Sequence, residues 1–367
     1  MPCHRSRTIL GALLFPALLW AKAYEVPAGA DVGVFFATLP KDVTLITFSA
    51  ANHYKSQGDI VLPDAPMLTI DGNGCKLALG AGSNGFTRKI ADQKDAMQRI
   101  SCRYFIRNIT IQGGKRAIDL QATYGSAITD IGTASQTETA IDLRFCLMCR
   151  VQNAMVTDPR GQGIVVRQGD WPGASATNSQ SNSTVLEQCR IYCAKSTTNA
   201  FTVLNSGGVR MQDCISEGAD ADRDLFLSAS SDEAKTAGNP VVKSFTLDNF
   251  HVEHAARKQC IYINMPPKAA VHLSNLYINH PQSQPVIYYM TGQLSLTDIG
   301  WWNQDLLIAT PFPAPRINVD RCHSDLNAGP KGGPVSPKAG VFRYVGTITD
   351  AVKGLSQAYI RIMNPSM

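Results

Sequence analysis

The stretch MQDCISEGADADRDLFLSA (211–229) decides the fold. It opens with a short alternating segment, MQDCIS (211–216), that carries Asp at its third place. A polar corner follows, and then a second alternating segment, DLFLSA (224–229). Alternation of period two over four to eight residues is the signature of a strand with one face buried. One such unit is too short to bury its own apolar side, so it needs neighbours of the same kind.

Those neighbours are present on both sides. The first segment recurs as IRNITI (106–111), ITDIGT (128–133), VQNAMV (151–156), LEQCRI (186–191), LDNFHV (247–252), LSNLYI (273–278), LTDIGW (296–301) and VDRCHS (319–324). Its third place holds Asn108, Asp130, Asn153, Gln188, Asp213, Asn249, Asn275, Asp298 and Arg321. The place after it is apolar or Cys: Ile109, Ile131, Ala154, Cys189, Cys214, Phe250, Leu276, Ile299 and Cys322. The second segment recurs as AIDLQA (117–122), AIDLRF (140–145), GIVVRQ (163–168), AFTVLN (200–205), CIYINM (260–265) and PVIYYM (285–290).

The third-place residues are spaced 22, 23, 35, 25, 36, 26, 23 and 23 apart. The two long intervals come from insertions after the second segment, at 169–183 and 229–241, and a third lies near 80–100. A repeat of this period that stacks on itself is a parallel β-helix, with the apolar column inside and the Asn/Asp column as a polar ladder at a tight turn.

The stretch VLPDAPMLTIDGNGCKLAL (61–79) resembles the first coil of right-handed parallel β-helix proteins of the pectate-lyase-like superfamily. That superfamily includes polysaccharide lyases, glycoside hydrolases and phage tailspikes. The resemblance, over about 60–325, implies an all-β right-handed solenoid of roughly nine to eleven coils. It also implies a short amphipathic N-terminal helix at Asp31–Leu39 and a C-terminal strand cap. The residue patterns of polygalacturonases, pectate lyases and alginate epimerases are missing, so no activity carries over.

The domain organisation expected is a signal peptide at 1–23, a β-helix at 24–325, and a linker with a C-terminal strand cap at 326–367. His4, Arg5 and Arg7 precede an apolar run, Ile9–Trp20, and Ala21-Lys22-Ala23 has the small-x-small pattern of a cleavage site. Export, to the periplasm or the medium, is the corresponding expectation, with no membrane association after cleavage. Of 34 Lys and Arg, three lie in that segment, which carries no acid; against 29 Asp and Glu, the rest of the chain has a net charge of +2. No Lys/Arg stripe of a nucleic-acid binder is present. At 44% hydrophobic and 17% charged the chain is neither disordered nor a coiled coil.

Ten cysteines include Cys3 in the signal segment, leaving nine. Cys146-x-x-Cys149 and Cys189-x-x-x-Cys193 lack the second pair that a zinc site wants, and cysteines in the apolar column read as small buried hydrophobes. No cofactor is expected; Asp220, Asp222 and Asp224, in GADADRD (218–224), are the one calcium candidate. Asn108 starts a glycosylation sequon, but its ladder place predicts burial. No Gly-rich phosphate loop, Ser nucleophile elbow or HExxH is present.

Four places beyond the ladder residue stand Gln112, Ala134, Thr157, Tyr192, Glu217, Glu253, Asn279 and Trp302. Glu217 and Glu253 therefore fall on successive coils, about 4.8 Å apart. One place further, His254 and His280 do the same. A close carboxyl pair suits glycoside hydrolysis, one member protonating the leaving oxygen and the other acting as nucleophile or base. Spacing alone leaves the assignment open. The alternative is a polysaccharide lyase, with His254 as base, Arg223, Arg257 or Lys258 neutralising a uronate, and Tyr262 or Tyr288 as acid. A non-catalytic carbohydrate-binding or adhesive β-helix is the third reading. Phe226 and Tyr262 share an outward position, with Tyr288 or Tyr289 on the next coil, a stripe suited to stacking on sugar rings or to packing under the inserted loops. The partner expected is an extracellular polysaccharide, and the assembly a monomer or homotrimer.

Overall fold

A computed structural model describes residues 22–193, 197–218, 220–229, 244–253, 259–265, 269–279, 287–289 and 293–302. It also describes the short strands 307–309, 316–320, 323–325, 343–344 and 360–362. The signal segment up to 21, the linker 328–338, and His254, Arg257, Lys258 and His280 lie outside the described residues.

The chain is an all-β right-handed parallel β-helix. Its described strands form a 17-stranded first sheet and an 11-stranded second sheet. Each first segment of the repeat lies in the first sheet, for example in Val209–Glu217, Ser244–Glu253 and Ala270–Asn279. Each second segment lies in the second sheet, for example in Ala221–Ser228 and Gln259–Asn264. The two C-terminal strands, Arg343–Tyr344 and Ile360–Ile362, each extend a different sheet in parallel.

The ladder is a bend. Asn108, Asp130, Asn153, Gln188, Asp213, Asn249, Asn275 and Asp298 all have φ between 52° and 56°. This is the left-handed region, which Asn and Asp reach more easily than other side chains because their polar groups bond locally. A single such residue turns each first-sheet strand, and the pairing resumes in register beyond it. The ladder is also cross-linked: Asn153 Nδ2 donates to Asp130 Oδ1 (2.6 Å), and Asn249 Nδ2 to Asp213 Oδ1 (2.7 Å). Asn108 is half-buried, not buried as its place in the column suggests; Nδ2 donates to Asp71 Oδ1 at 3.1 Å.

The next column is the core. Ile109, Ile131, Ala154, Cys189, Cys214, Phe250, Leu276 and Ile299 are all buried, each burial of an aliphatic or aromatic side chain contributing about 1.5–3 kcal/mol. The eight described cysteines are free and buried. Burial pushes the Cys75 thiol up to about 11 and that of Cys193 to about 12, which favours the protonated thiols that pack as small apolar groups.

Helix α1 (Val32–Ala37) closes the N-terminal end. Asp31 caps it by accepting from Val34 N, and Phe36 turns inward onto Phe86, ring centroids 5.7 Å apart. Helix α2 (Gln93–Arg99) and the insertion 169–183 together roof the outer face of the second sheet. Trp171 packs with Ala96, Ala122 and Phe145, and its indole N–H donates to Gln93 Oε1 (3.0 Å). Beneath the roof lie Asp119 and Asp142, in register on adjacent strands and buried. Arg144 bonds Asp119, Arg167 grips Asp142 through two bonds (3.0 and 2.9 Å), and both arginines donate to Asp170 on the insertion. Burial alone would raise the pKa of Asp170, but the two guanidinium groups hold it below the usual range.

Candidate active site

Beyond the ladder bend, each first-sheet strand runs four more residues, with alternate side chains facing out. On Val209–Glu217 these are Ile215 and Glu217; on Ser244–Glu253, His251 and Glu253; on Ala270–Asn279, Tyr277 and Asn279. Parallel pairing sets them in rungs: Tyr192, Glu217, Glu253 and Asn279 form one, and Ile215, His251 and Tyr277 the rung beside it. Glu217 and Glu253 are therefore neighbours on adjacent coils.

One carboxylate oxygen of each Glu and one ring nitrogen of His251 lie within 4.8 Å of one another. His251 Nε2 stands 3.3 Å from Glu253 Oε2. The imidazole lies flat on the Tyr277 ring, centroids 4.6 Å apart and planes 22° apart, which limits its rotation. All three groups are half-buried, the His251 and Glu253 side chains 38% and 40% exposed.

Behind this wall, Ser216 points into the core and donates to Asp224 Oδ1 at 2.6 Å. Asp224 is itself buried. Burial pushes its carboxyl up to about 7, against the opposing bonds from Ser216 and the Cys260 thiol. Its side chain is turned inward, toward Ser216 and Cys260.

A second group lies on the second-sheet strands of the same two coils. Phe226 and Tyr262 occupy one rung of the second sheet, rings stacked at 5.0 Å and 14°. The Arg223 guanidinium covers both, its Cζ 5.3 Å and 5.1 Å from the two centroids. Tyr288 continues the rung in register; its side chain lies outside the description. The structure thus brings Phe226, Tyr262 and Arg223 together.

Places four and five beyond the ladder hold Glu217, Glu253, His254 and His280, whereas His251 stands two places beyond Asn249. The signal was available: positions 251 and 253 differ by two, so they share a face. The ions beneath the roof, Asp119, Asp142 and Arg144, are buried by contacts between residues distant in sequence, which no local pattern signals.

No protein-family model and no curated protein matches the chain. Among solved structures, it is similar to the catalytic domain of a GH87 alpha-1,3-glucanase in complex with nigerose, at 12% identity and a TM-score of 0.46 over 83% of this chain. It is also similar to the D1068A form of a GH87 alpha-1,3-glucanase catalytic domain in complex with tetrasaccharides, at 9% identity and a TM-score of 0.35 over 89% of this chain. The chain spans 53% of the first of these and 68% of the second.

Proposed function

We propose that the protein is exported and hydrolyses glycosidic bonds of a polysaccharide, using Glu217 and Glu253. The observation that carries the reading is the pairing of these two carboxylates on adjacent coils, with oxygens within 4.8 Å of each other and open to solvent. Retaining glycosidases hold their two carboxyl groups about 5–5.5 Å apart, so that one attacks the anomeric carbon while the other protonates the leaving oxygen.

His251 distinguishes the two. Its Nε2 stands 3.3 Å from Glu253 Oε2 and can hold that oxygen in one orientation, which suits Glu253 to be the nucleophile. Glu217, without that partner, is the acid that protonates the departing sugar and then activates water. Phe226, Tyr262 and Arg223 offer a flat, cation-backed surface on the same coils, of the kind that stacks against the apolar face of a sugar ring.

The test is release of reducing ends from a panel of neutral and acidic polysaccharides by the wild-type protein, Glu217→Gln and Glu253→Gln. Each substitution is expected to lower the rate by on the order of 10²–10⁴-fold with folding unchanged. Wild-type rates in both variants, or an unsaturated product absorbing in the ultraviolet, would overturn the reading; the latter would establish a lyase.

A further inference from the structure

The three side chains of the proposed catalytic patch also form a ligand set. Glu217, His251 and Glu253 each bring one donor atom into a cluster within 4.8 Å, from two adjacent strands of a rigid sheet. Two ligands on a tetrahedral ion with bonds of about 2.0–2.1 Å stand about 3.3 Å apart. His251 Nε2 and Glu253 Oε2 are 3.3 Å apart. Glu217 has to close by no more than roughly 1.5 Å, a change that a staggered-rotamer adjustment of a half-buried glutamate covers.

The imidazole is oriented for this. Its stacking on Tyr277 holds the ring plane, and outer contacts of this sort raise a site's affinity by limiting what the ligand has to reorganise. The three groups are all half-buried, so an ion can enter from solvent and keep a water in its fourth place. One nitrogen and two carboxylate oxygens select a zinc-type cation. Calcium and magnesium prefer an all-oxygen shell of six or more ligands.

We infer that Glu217, His251 and Glu253 bind a zinc-type divalent cation, and that the bound cation silences hydrolysis. The second half rests on the hydrolase reading above. A metal on both carboxylates occupies the lone pairs that would otherwise attack the sugar or carry the proton, so the occupied site can do neither.

The test titrates zinc chloride into chelator-stripped full-length mature protein by calorimetry, with cobalt(II) absorption in the visible as a second probe of the ligand sphere. One zinc is expected per chain, weakened at least tenfold in His251→Ala and in Glu217→Gln, with calcium binding far more weakly. His251→Gln, closer in size, guards against a packing artefact, and circular dichroism checks that each variant is folded. Zinc bound equally by the wild type and all variants, or no zinc bound by the wild type, would overturn the site. Hydrolysis is then followed against zinc on the most responsive polysaccharide. Loss of rate that tracks occupancy and returns on chelation supports the silencing; an unchanged rate at full occupancy overturns it. If no polysaccharide is cleaved with or without metal, the hydrolase reading and the silencing fall together while the calorimetry still decides the site.

Discussion

Glu217 and Glu253 occupy the same rung of the first sheet, directly paired in parallel register on adjacent coils. Their carboxylates meet the His251 imidazole within 4.8 Å. Thirty-six residues separate them along the chain, yet their strands pair directly in the first sheet.

If Glu253 is the nucleophile, removing its carboxylate leaves a space that a small anion fills. Glu253→Ala should regain activity on an activated aryl glycoside when azide is added, giving a glycosyl azide of inverted configuration. Glu217→Ala should give the retained azide instead. Proton NMR of the products reads both configurations, and the opposite pattern would exchange the two roles.

Tyr262→Ala removes one half of the stacked pair under Arg223. An aromatic contact of this kind is worth about 0.5–1.5 kcal/mol, so KM should rise about two- to tenfold with kcat little changed. Steady-state kinetics check this. A drop in kcat with KM constant would place the pair nearer the chemistry than proposed.

Asp224 makes stability depend on pH in a stated direction. Its carboxyl, pushed up to about 7 by burial from an ordinary value of 3.8, keeps a proton in the folded protein that the unfolded chain releases. The contribution is therefore fully present below about pH 3.8 and is lost as pH rises through about 7. At about 1.4 kcal/mol per pH unit the loss totals about 4 kcal/mol. Asp224→Asn, which keeps the shape without the ionisation, should gain stability relative to wild type between pH 5 and pH 8. Urea midpoints at the two values measure the gain.

Asn249 combines a φ of 52° with a 2.7 Å bond to Asp213. Asn249→Ala keeps a Cβ in the left-handed region without the local bond and should cost about 1–2 kcal/mol for the backbone, besides the lost hydrogen bond. Asn249→Gly should cost less, since glycine reaches that region freely. Denaturant unfolding of the two variants ranks them, and equal losses would show that only the hydrogen bond matters.

Trp171→Ala should loosen the roof without unfolding the coil. The side chain is 7% exposed, anchors the insertion 169–183 against α2, and belongs to a cluster separate from the solenoid core. Amide exchange is expected to speed up at 93–99 and 169–183, while Ile118, Ile141 and Ile164 stay protected; faster exchange there too would show that roof and coil unfold together.

The sequence by itself determined the coil, the strand faces and the Glu217–Glu253 register. Each of these is written locally in every unit. A residue able to sit at positive φ marks the bend, period two marks the faces, and insertions confined to one place after the second-sheet strand leave the count from Asn or Asp undisturbed. By the same rule His251 was legible two places before Glu253. Tertiary structure alone decided what covers an outward face. Asp119, Asp142 and Arg144 alternate outward like any solvent-facing group, and they are buried because Trp171 and Gln93, 78 residues apart in sequence, meet above them. Asp224 and Leu225 are neighbours and both buried, so strict alternation fails at that corner, and Asp224 turns in to Ser216. Backbone bend and strand face follow from a few neighbouring residues. Burial of a polar side chain follows from where distant loops come to rest, and no local pattern carries that information.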